Sequence, residues 1–585
     1  MKCLIVVLLC VFVAQVHAQI NNPFKKKEKK EETAAVADTS APAQQSKEKK
    51  GGIGGAFQKV MTKVTKTVGN AAASMGGSVA TVDDLSTVYV LASIGTNIYP
   101  KDLGLVVTDF LKGEWIDHGD FSMMMLSAKN GSQFYKYSGT IKLNGKELKH
   151  QSYGIHTIVE PANSGSKTFL FEKNGTEEGK FTVPAPTKNI RLVSVNGQKG
   201  TVTLDITKDV TIELENFSTA PDALVRVDIV AQIIGLRSLY LVAYVKPAAK
   251  VVIPAAAFRN LETENKGMNF KNSYLAISEQ FLVKTQNNSG VFKEPFDVLT
   301  GSNDGMWLNV TNSNDLYRGF SIEDKTEISG SKVELYGVKK NAAFAMPLSR
   351  AKKIAVGSFS IQGTTYTYGS TTNRWTQTET TTEVKIPQIP DEWLNGILAE
   401  MYQKVTGVTT QVLSGQILPE GTVPSLPSYQ TVSIAFKDEM SSSDQFLKVY
   451  KNLYPMKRLT TQSVRLNGEN ALLKEANADA LLKVTITMQI GKDEKGRSVL
   501  IPFLSVEMDG ASNGGFRSAT GNTCYFSIDV KGPSYLIKDG KAFTREEFFK
   551  IIQPDVLVEG YRKILTQVRD KEKSVNDYEQ VWTLQ

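Results

Sequence analysis

From residue 81 onward, apolar and polar residues alternate in short runs broken by turn residues, a pattern with the period of strands. Thr87–Ala92 and Gly104–Val107 are short apolar runs, and Asn-Gly pairs then stand at 130–131, 144–145, 174–175 and 196–197 between alternating segments. Such a pair supplies the two positive φ angles of a tight two-residue hairpin turn, and Gly139–Leu148, centred on Asn144-Gly145, is the clearest hairpin. Further strands are predicted at Gly200–Ile206, Val210–Leu214, Leu224–Val230 and Ser238–Val245. Many short strands between turn signals describe an antiparallel β-sandwich, and residues 120–257 are long enough for one immunoglobulin-like domain, although its Cys-Trp-Cys signature is missing. Residues 81–119 read as a short β or α/β segment. Residues 260–345 read as a further β-rich region, with strands at Tyr274–Val283, Met306–Val310, Tyr317–Ile322 and Lys332–Val338.

Near residue 350 the period changes. Lys353–Ile361 reads as a strand, a Thr-rich hairpin-like stretch runs to Ile386, and Trp393, Ile397, Met401 and Val405 place one apolar stripe on a helix from Pro390 to about Val405. The pattern then predicts a strand at Thr431–Phe436, a helix opened by Ser443 that carries Phe446, Tyr450 and Leu453, and a helix at Asn470–Ala478 leading into a strand at Leu481–Ile490. Strands at Ser498–Met508 and Cys524–Val530 follow. Thr544-Arg-Glu-Glu547 is a capping box that opens a terminal helix restarted at Pro554. Residues 350–585 are thus expected to form an α+β domain with a mixed sheet, and the chain as a whole to be multidomain and β-rich.

The order of Lys353–Ile361, the amphipathic helix, Asn477-Ala-Asp-Ala-Leu-Leu-Lys-Val484 entering a strand, the paired strands and the final helix resembles the α/β module of bacterial envelope proteins related to the curli secretion channel and the TolB amino-terminal domain. The resemblance covers about 230 residues, with insertions at 362–390 and 407–428 that depart from the family pattern. It implies an accessory or assembly role at the outer membrane without enzymatic activity.

The amino terminus differs in kind from the rest. Met1 and Lys2 precede an almost unbroken apolar run, Cys3–Val16, that ends at Val16-His17-Ala18, so residues 1–18 read as a cleavable signal peptide. Residues 19–50 are rich in Lys, Glu, Ala, Gln and Ser and read as a disordered tether. Across 51–78, Ile53, Phe57, Val60, Met61, Val64 and Val68 recur at helical spacing with Lys59, Lys63 and Lys66 off the stripe, which predicts an amphipathic helix able to contact a membrane surface or a partner.

Charge sharpens this division. Residues 19–50 hold eight Lys against five acids, Lys59, Lys63 and Lys66 add three more, and residues 81–585 are left with +1 of the chain's +8. A nearly neutral body argues against a dedicated nucleic-acid surface. Only Cys524 remains beyond residue 18, which excludes an intrachain disulfide and a Cys-rich zinc site in the exported chain; its alternating surroundings predict a buried strand position.

No catalytic, cofactor or metal site is nominated. His118, His150 and His156 are the histidines of the exported chain, all in or next to the expected sandwich. His150 and His156 could share a metal across adjacent strands. Gly165-Ser-Lys-Thr168 has the Lys-Thr ending but lacks the earlier glycine and the Gly-Lys pair of a phosphate loop, and Gly51–Gly55 neither follows a strand nor carries the third glycine of a dinucleotide fingerprint. Gly301-Ser-Asn-Asp-Gly305 with Asn312, Asn314 and Asp315 offers oxygen ligands for calcium, against a simple turn. Asp117, Asp120, Asp304 and Glu383 lie near Trp115, Trp307 and Trp375, the raw material of a glycan site.

The expectation is therefore an exported, noncatalytic envelope protein, periplasmic or outer-membrane associated, that contacts envelope proteins or a membrane surface through its amino-terminal arm. A secreted polysaccharide-binding or polysaccharide-hydrolysing protein, and a surface adhesin of sandwich modules, are the alternatives.

Overall fold

Three of the Asn-Gly pairs form the turns they predict: Asn144 and Gly145 have φ of 48° and 85°, Asn174 and Gly175 50° and 78°, Asn196 and Gly197 50° and 72°. Positive φ at both central residues gives the turn a twist that matches the flanking strands. The computed structural model describes residues 80–585 except 106–114, 129–133, 153, 163–164, 186–187, 234–235, 260–267, 313–318, 341, 343–344, 374–377, 387–388, 434–444, 457–468, 470, 494, 511–522, 538–542 and 576. The leader at 1–18, the tether at 19–50 and the stripe at 51–78 (Ile53, Phe57, Lys59, Val60, Met61, Lys63, Val64, Lys66, Val68) lie outside the described residues, as does Asn130-Gly131.

Residues 80–312 supply β1 (Val88–Thr96), β2 (Asp120–Ala128), β3 (Lys149–Ser152), β4 (Ile155–Glu160), β5 (Lys167–Lys173), β6 (Thr176–Val183), β7 (Leu224–Ile233), β8 (Leu236–Val245), β9 (Asn269–Lys284) and β10 (Asp297–Asn312), with shorter strands between them. One mixed, eleven-stranded sheet follows the path Ala80–Val82, Phe134–Tyr137, β2, β1, β10, β9, β7, β8, with β4 against β2 and β3 against β4. The long β10 joins its halves: Leu299–Ser302 runs parallel to Ser93–Thr96 of β1, and Leu308–Asn312 runs parallel to Val202–Asp205. Hydrogen bonding in this sheet therefore runs across 119/120 and 257/260, where the sequence pattern changes.

Two smaller sheets cover it. The five-stranded sheet Gln286–Gly290, β6, β5, Thr140–Leu143, Lys146–Glu147 closes on β1 and β2 over Ala92, Met124, Leu126, Phe169, Phe171 and Phe181. Each fully buried Phe there contributes about 1.5–3 kcal/mol. The three-stranded sheet Arg191–Val195, Val210–Glu215, Lys250–Ile253 closes on β7, β9 and β10 over Leu192, Ile212, Val227, Ile229, Leu275 and Ile277. On the opposite face Tyr99, Trp115, Tyr274 and Ala276 form a further cluster, which explains why Leu275, Ala276 and Ile277 are all buried in one strand.

Residues 319–585 build a second mixed sheet from β11 (Gly319–Ile328), β12 (Ser331–Lys340), β13 (Lys353–Thr364), β16 (Ala480–Lys492), β17 (Ser498–Gly510) and β18 (Thr523–Lys531), in the order β11-β12-β18-β17-β16-β13, while β14 (Tyr366–Asn373) and β15 (Thr378–Lys385) pair as a separate ribbon. Only β13 and β16, with the short Gln416–Ile417 on the far side of β13, are parallel in its main path. Helices α1 (Asp391–Leu413), α2 (Arg545–Ile552), α3 (Pro554–Val575) and α4 (Asp577–Trp582) complete it. Ile397, Leu398, Met401 and Val405 of α1 and Tyr561, Ile564, Leu565 and Val568 of α3 share one core with the sheet. The α1 helix runs eight residues past Val405 because Val408, Val412 and Leu413 continue its buried stripe. Thr544 and Glu547 form the predicted capping box.

Two expected elements are corrected. Pro427–Ser433 is a short helix where a strand was expected from Thr431, and Gln445–Val449 is a strand where a helix was expected from Ser443. The spacing of Phe446, Tyr450 and Leu453 fits a helix, but Gln445–Val449 pairs antiparallel with Ser360–Thr364, so tertiary pairing overrides the local period.

Tyr402 of α1 is buried between Phe359 and Tyr450, with ring centres at 5.3 and 4.6 Å. Burial, with Glu420 and Tyr450 as further causes, pushes its phenol up to about 12. The folded state holds the neutral phenol while the unfolded chain releases a proton near pH 10, so stability is present below pH 10 and is lost as pH rises towards 12. Tyr402→Phe is expected to remove about 2 kcal/mol of that alkaline loss, read from urea midpoints at pH 9 and pH 11.5.

Candidate functional site

The ribbon stands apart from both sheets. Tyr366–Asn373 and Thr378–Lys385 are rich in β-branched Thr, which suits an extended backbone, and pair antiparallel in eight steps from Tyr366 opposite Lys385 to Asn373 opposite Thr378. Its length is about 24 Å at the usual rise. Among the described residues neither strand pairs with any strand but its partner in the ribbon. The base is fixed: the Ile386 N–H donates to the Thr365 carbonyl at 2.7 Å, and Val384 and Ile386 are buried in the carboxy-terminal core. Chemically, such an element can add strands by backbone hydrogen bonding.

The sequence candidates separate cleanly. His150 and His156 come together as direct cross-strand partners on β3 and β4, ring centres 5.0 Å apart. Burial lowers both imidazoles, His156 to about 4, with His150 and Lys136 adding to the effect. His156 Nδ1 lies 3.2 Å from the Gly154 carbonyl, and among the described residues the buried His150 Nε2 has no hydrogen-bond partner. His118 is elsewhere, in a left-handed turn (φ 56°) with Nδ1 3.0 Å from Asn97 Oδ1.

The calcium candidate is a strand. Gly301–Gly305 lies inside β10, where Ser302 Oγ accepts the Ile190 N–H at 2.8 Å and Asp304 Oδ2 accepts the Leu192 N–H at 2.7 Å. Asn303 donates to the Thr96 carbonyl and Asn312 to Asp205, so these polar groups tie neighbouring segments to the sheet. Asn314 and Asp315 lie outside the described residues. The glycan candidates are likewise engaged. Asp117 accepts from the Lys101 N–H and from the Trp115 indole at 3.1 Å, and Trp307 packs edge-on against Tyr274 at 5.3 Å. Trp375 lies outside the described residues, and Glu383 and Cys524 are placed by backbone alone, opposite Tyr368 and Asp509.

Among the described residues three lysines are buried. Lys167, the lysine of the phosphate-loop fragment, is 1% exposed and bridges the two layers of the first core to Asp120 at 2.8 Å, with Glu160 at 3.6 Å. Lys339 pairs with Glu572 of α3 at 2.6 Å. Lys483 of β16 meets Asp509 at 2.7 Å and Glu469 at 2.9 Å; burial alone lowers its affinity for the proton, but Asp509, Glu469 and Glu507 raise it well above the usual lysine range. A signal existed for Lys167: it sits two and four residues before Phe169 and Phe171, on the inward face of β5. Each of these lysines has buried carboxylate partners, the arrangement that lets a charge remain in a core.

No described helix is long and apolar enough to cross a membrane. No protein-family model matches the chain, and no curated protein matches it. A solved structure titled "Structure of the Evf virulence factor" is similar at 18% identity over 18% of this chain, with a TM-score of 0.11, a value that describes no shared fold. The matched part spans 39% of that structure's chain.

Proposed function

We propose that this chain is an exported, noncatalytic cell-envelope protein with an interaction or assembly role, and that the ribbon β14–β15 is its pairing element. The observation that carries this reading is a ribbon that pairs with no other strand among the described residues, on a base fixed in the core. Open edges are a liability for a free protein and an asset for one that assembles. The basic arm at 19–80 supplies attraction to anionic surfaces.

Two finer readings belong to the same proposal. A sandwich around residues 120–257 is supported by the closure of a five-stranded sheet on β1 and β2 over one apolar core, to which Val88–Thr96 and Gln286–Gly290 contribute from outside those bounds. Kinship of residues 350–585 with the curli-channel and TolB modules is supported by parallel pairing of β13 with β16 and by α1 lying between them in sequence and packing on the same core. Fractionation of the native host with crosslinking of intact envelopes tests the role. The chain is expected in the periplasmic or membrane fraction, crosslinked to other proteins; recovery solely as a free monomer in the medium contradicts the reading.

A further inference from the structure

We infer that His150, His156 and Met124 form a binding site for a monovalent soft metal ion, with copper(I) as the ion that fits. The inference stands independently of the proposed assembly role.

Sheet register places the three side chains in one row. His150 lies opposite His156 across β3 and β4, and His156 lies opposite Met124 across β4 and β2. Directly opposed residues in antiparallel strands share a face, with Cβ atoms about 5 Å apart. Met124 is fully buried, His156 is 4% exposed and His150 is half-buried on β3, so the row runs from the core out to solvent and leaves an ion a way in.

The imidazoles are set as a metal needs them. An imidazole bound at the usual metal–nitrogen distance holds its ring centre about 3.2 Å from the ion, so the observed separation of 5.0 Å corresponds to an angle of about 100° between two rings sharing one ion. The Gly154 carbonyl accepts from His156 Nδ1, which fixes the tautomer and leaves Nε2 with its lone pair; a backbone carbonyl on the second nitrogen is the usual support of a ligating histidine. His150 offers the second nitrogen, since among the described residues its buried Nε2 has no hydrogen-bond partner.

Charge and softness select the ion. Among the described residues no group of three or more His, Cys, Asp or Glu side chains converges on a metal position, so the set is two neutral imidazoles and a thioether. Nothing in it offsets a double positive charge, and Lys136 lies near both rings. A thioether with imidazoles suits copper(I), whereas zinc and calcium draw on thiolate, carboxylate or oxygen sets.

The test uses the chain from Gln19 onward, with copper(I) kept reduced by ascorbate and a chromophoric copper(I) chelator as competitor. The wild type is expected to withdraw one equivalent. His150→Gln, a half-buried position on β3 whose folding is checked by circular dichroism, is expected to weaken binding more than about 100-fold, beyond the ~10–100-fold cost of losing an outer supporting group. Met124→Leu is expected to weaken copper(I) binding about tenfold or more and to leave zinc binding unchanged. Failure of the wild type to withdraw copper(I), or a His150→Gln chain that binds within about threefold of wild type, overturns the site. Zinc bound as tightly as copper(I) overturns the choice of ion.

Discussion

Lys339→Ala is expected to destabilise the carboxy-terminal half by about 3–5 kcal/mol, the cost of leaving a buried charge without its partner. The Lys339 ammonium is fully buried, pairs with Glu572 at 2.6 Å, donates to the Met346 and Tyr525 carbonyls at 2.7 and 2.9 Å, and lies 4.8 Å from the centre of the Tyr578 ring. It thus connects β12 and β18 to α3 and α4. Without it, Glu572 keeps the Leu348 N–H on Oε1, at 2.9 Å, while Oε2 is left in the core. The double variant Lys339→Met, Glu572→Gln is expected to recover more than half of the loss, because the amide oxygen still accepts from Leu348 and no charge remains buried. Guanidinium unfolding followed by hydrogen exchange over 554–582 measures both. A single-variant loss below about 1 kcal/mol contradicts a braced core at this position.

The second large effect lies in the amino-terminal sheet. A Cβ placed on Gly301 sits 1.7 Å from the Glu279 carbonyl oxygen and 2.8 Å from its carbon, both backbone atoms of β9 that cannot rotate away. Gly301→Ala must therefore part β9 from β10 where β10 also pairs with β1, and a loss of about 3 kcal/mol or more is expected, at or above the upper range for overpacking. The expected readout is faster amide exchange in β1, β9 and β10 together. Exchange confined to one strand contradicts the role of β10 as the joint between the two halves.

These two positions show where sequence reading reached and where it stopped. Local chemistry was legible: Asn144-Gly145, Asn174-Gly175 and Asn196-Gly197 carry the φ angles of their turns, and Thr544 with Glu547 caps α2 as written. Strand existence was legible too, because alternation is a property of neighbouring residues. Partnering was not. Gly301–Gly305 has the composition of a turn, yet it runs through the centre of a sheet because β9 pairs with Asn303–Gly305 and β1 with Gly301 and Ser302, partners distant in the chain. Residues 445–449 carry a helical period and become a strand for the same reason.

The candidate sites divide along the same line. His150 and His156 straddle a short turn, so their proximity follows from local geometry, whereas Met124 joins them through pairing of β2 with β4. Lys167, Lys339 and Lys483 look like ordinary surface residues in the sequence, and the carboxylates that hold them come from other strands and helices. The ribbon was visible as a Thr-rich hairpin, but its lack of other strand partners among the described residues is a property of the assembled fold.

That lack is also the centre of the functional account, and it can be tested by shortening the ribbon without disturbing its base. Thr367 lies directly opposite Val384, so removal of Tyr368–Glu383 with an Asn-Gly turn in its place keeps Val384 and Ile386 in the core. Wild-type and shortened chains expressed in the native host are crosslinked in intact envelopes, purified and compared by mass spectrometry, with thermal melts confirming equal folding. The account predicts that partners crosslinked to the wild type are lost from the shortened chain; recovery of the same partners in the same yield contradicts it.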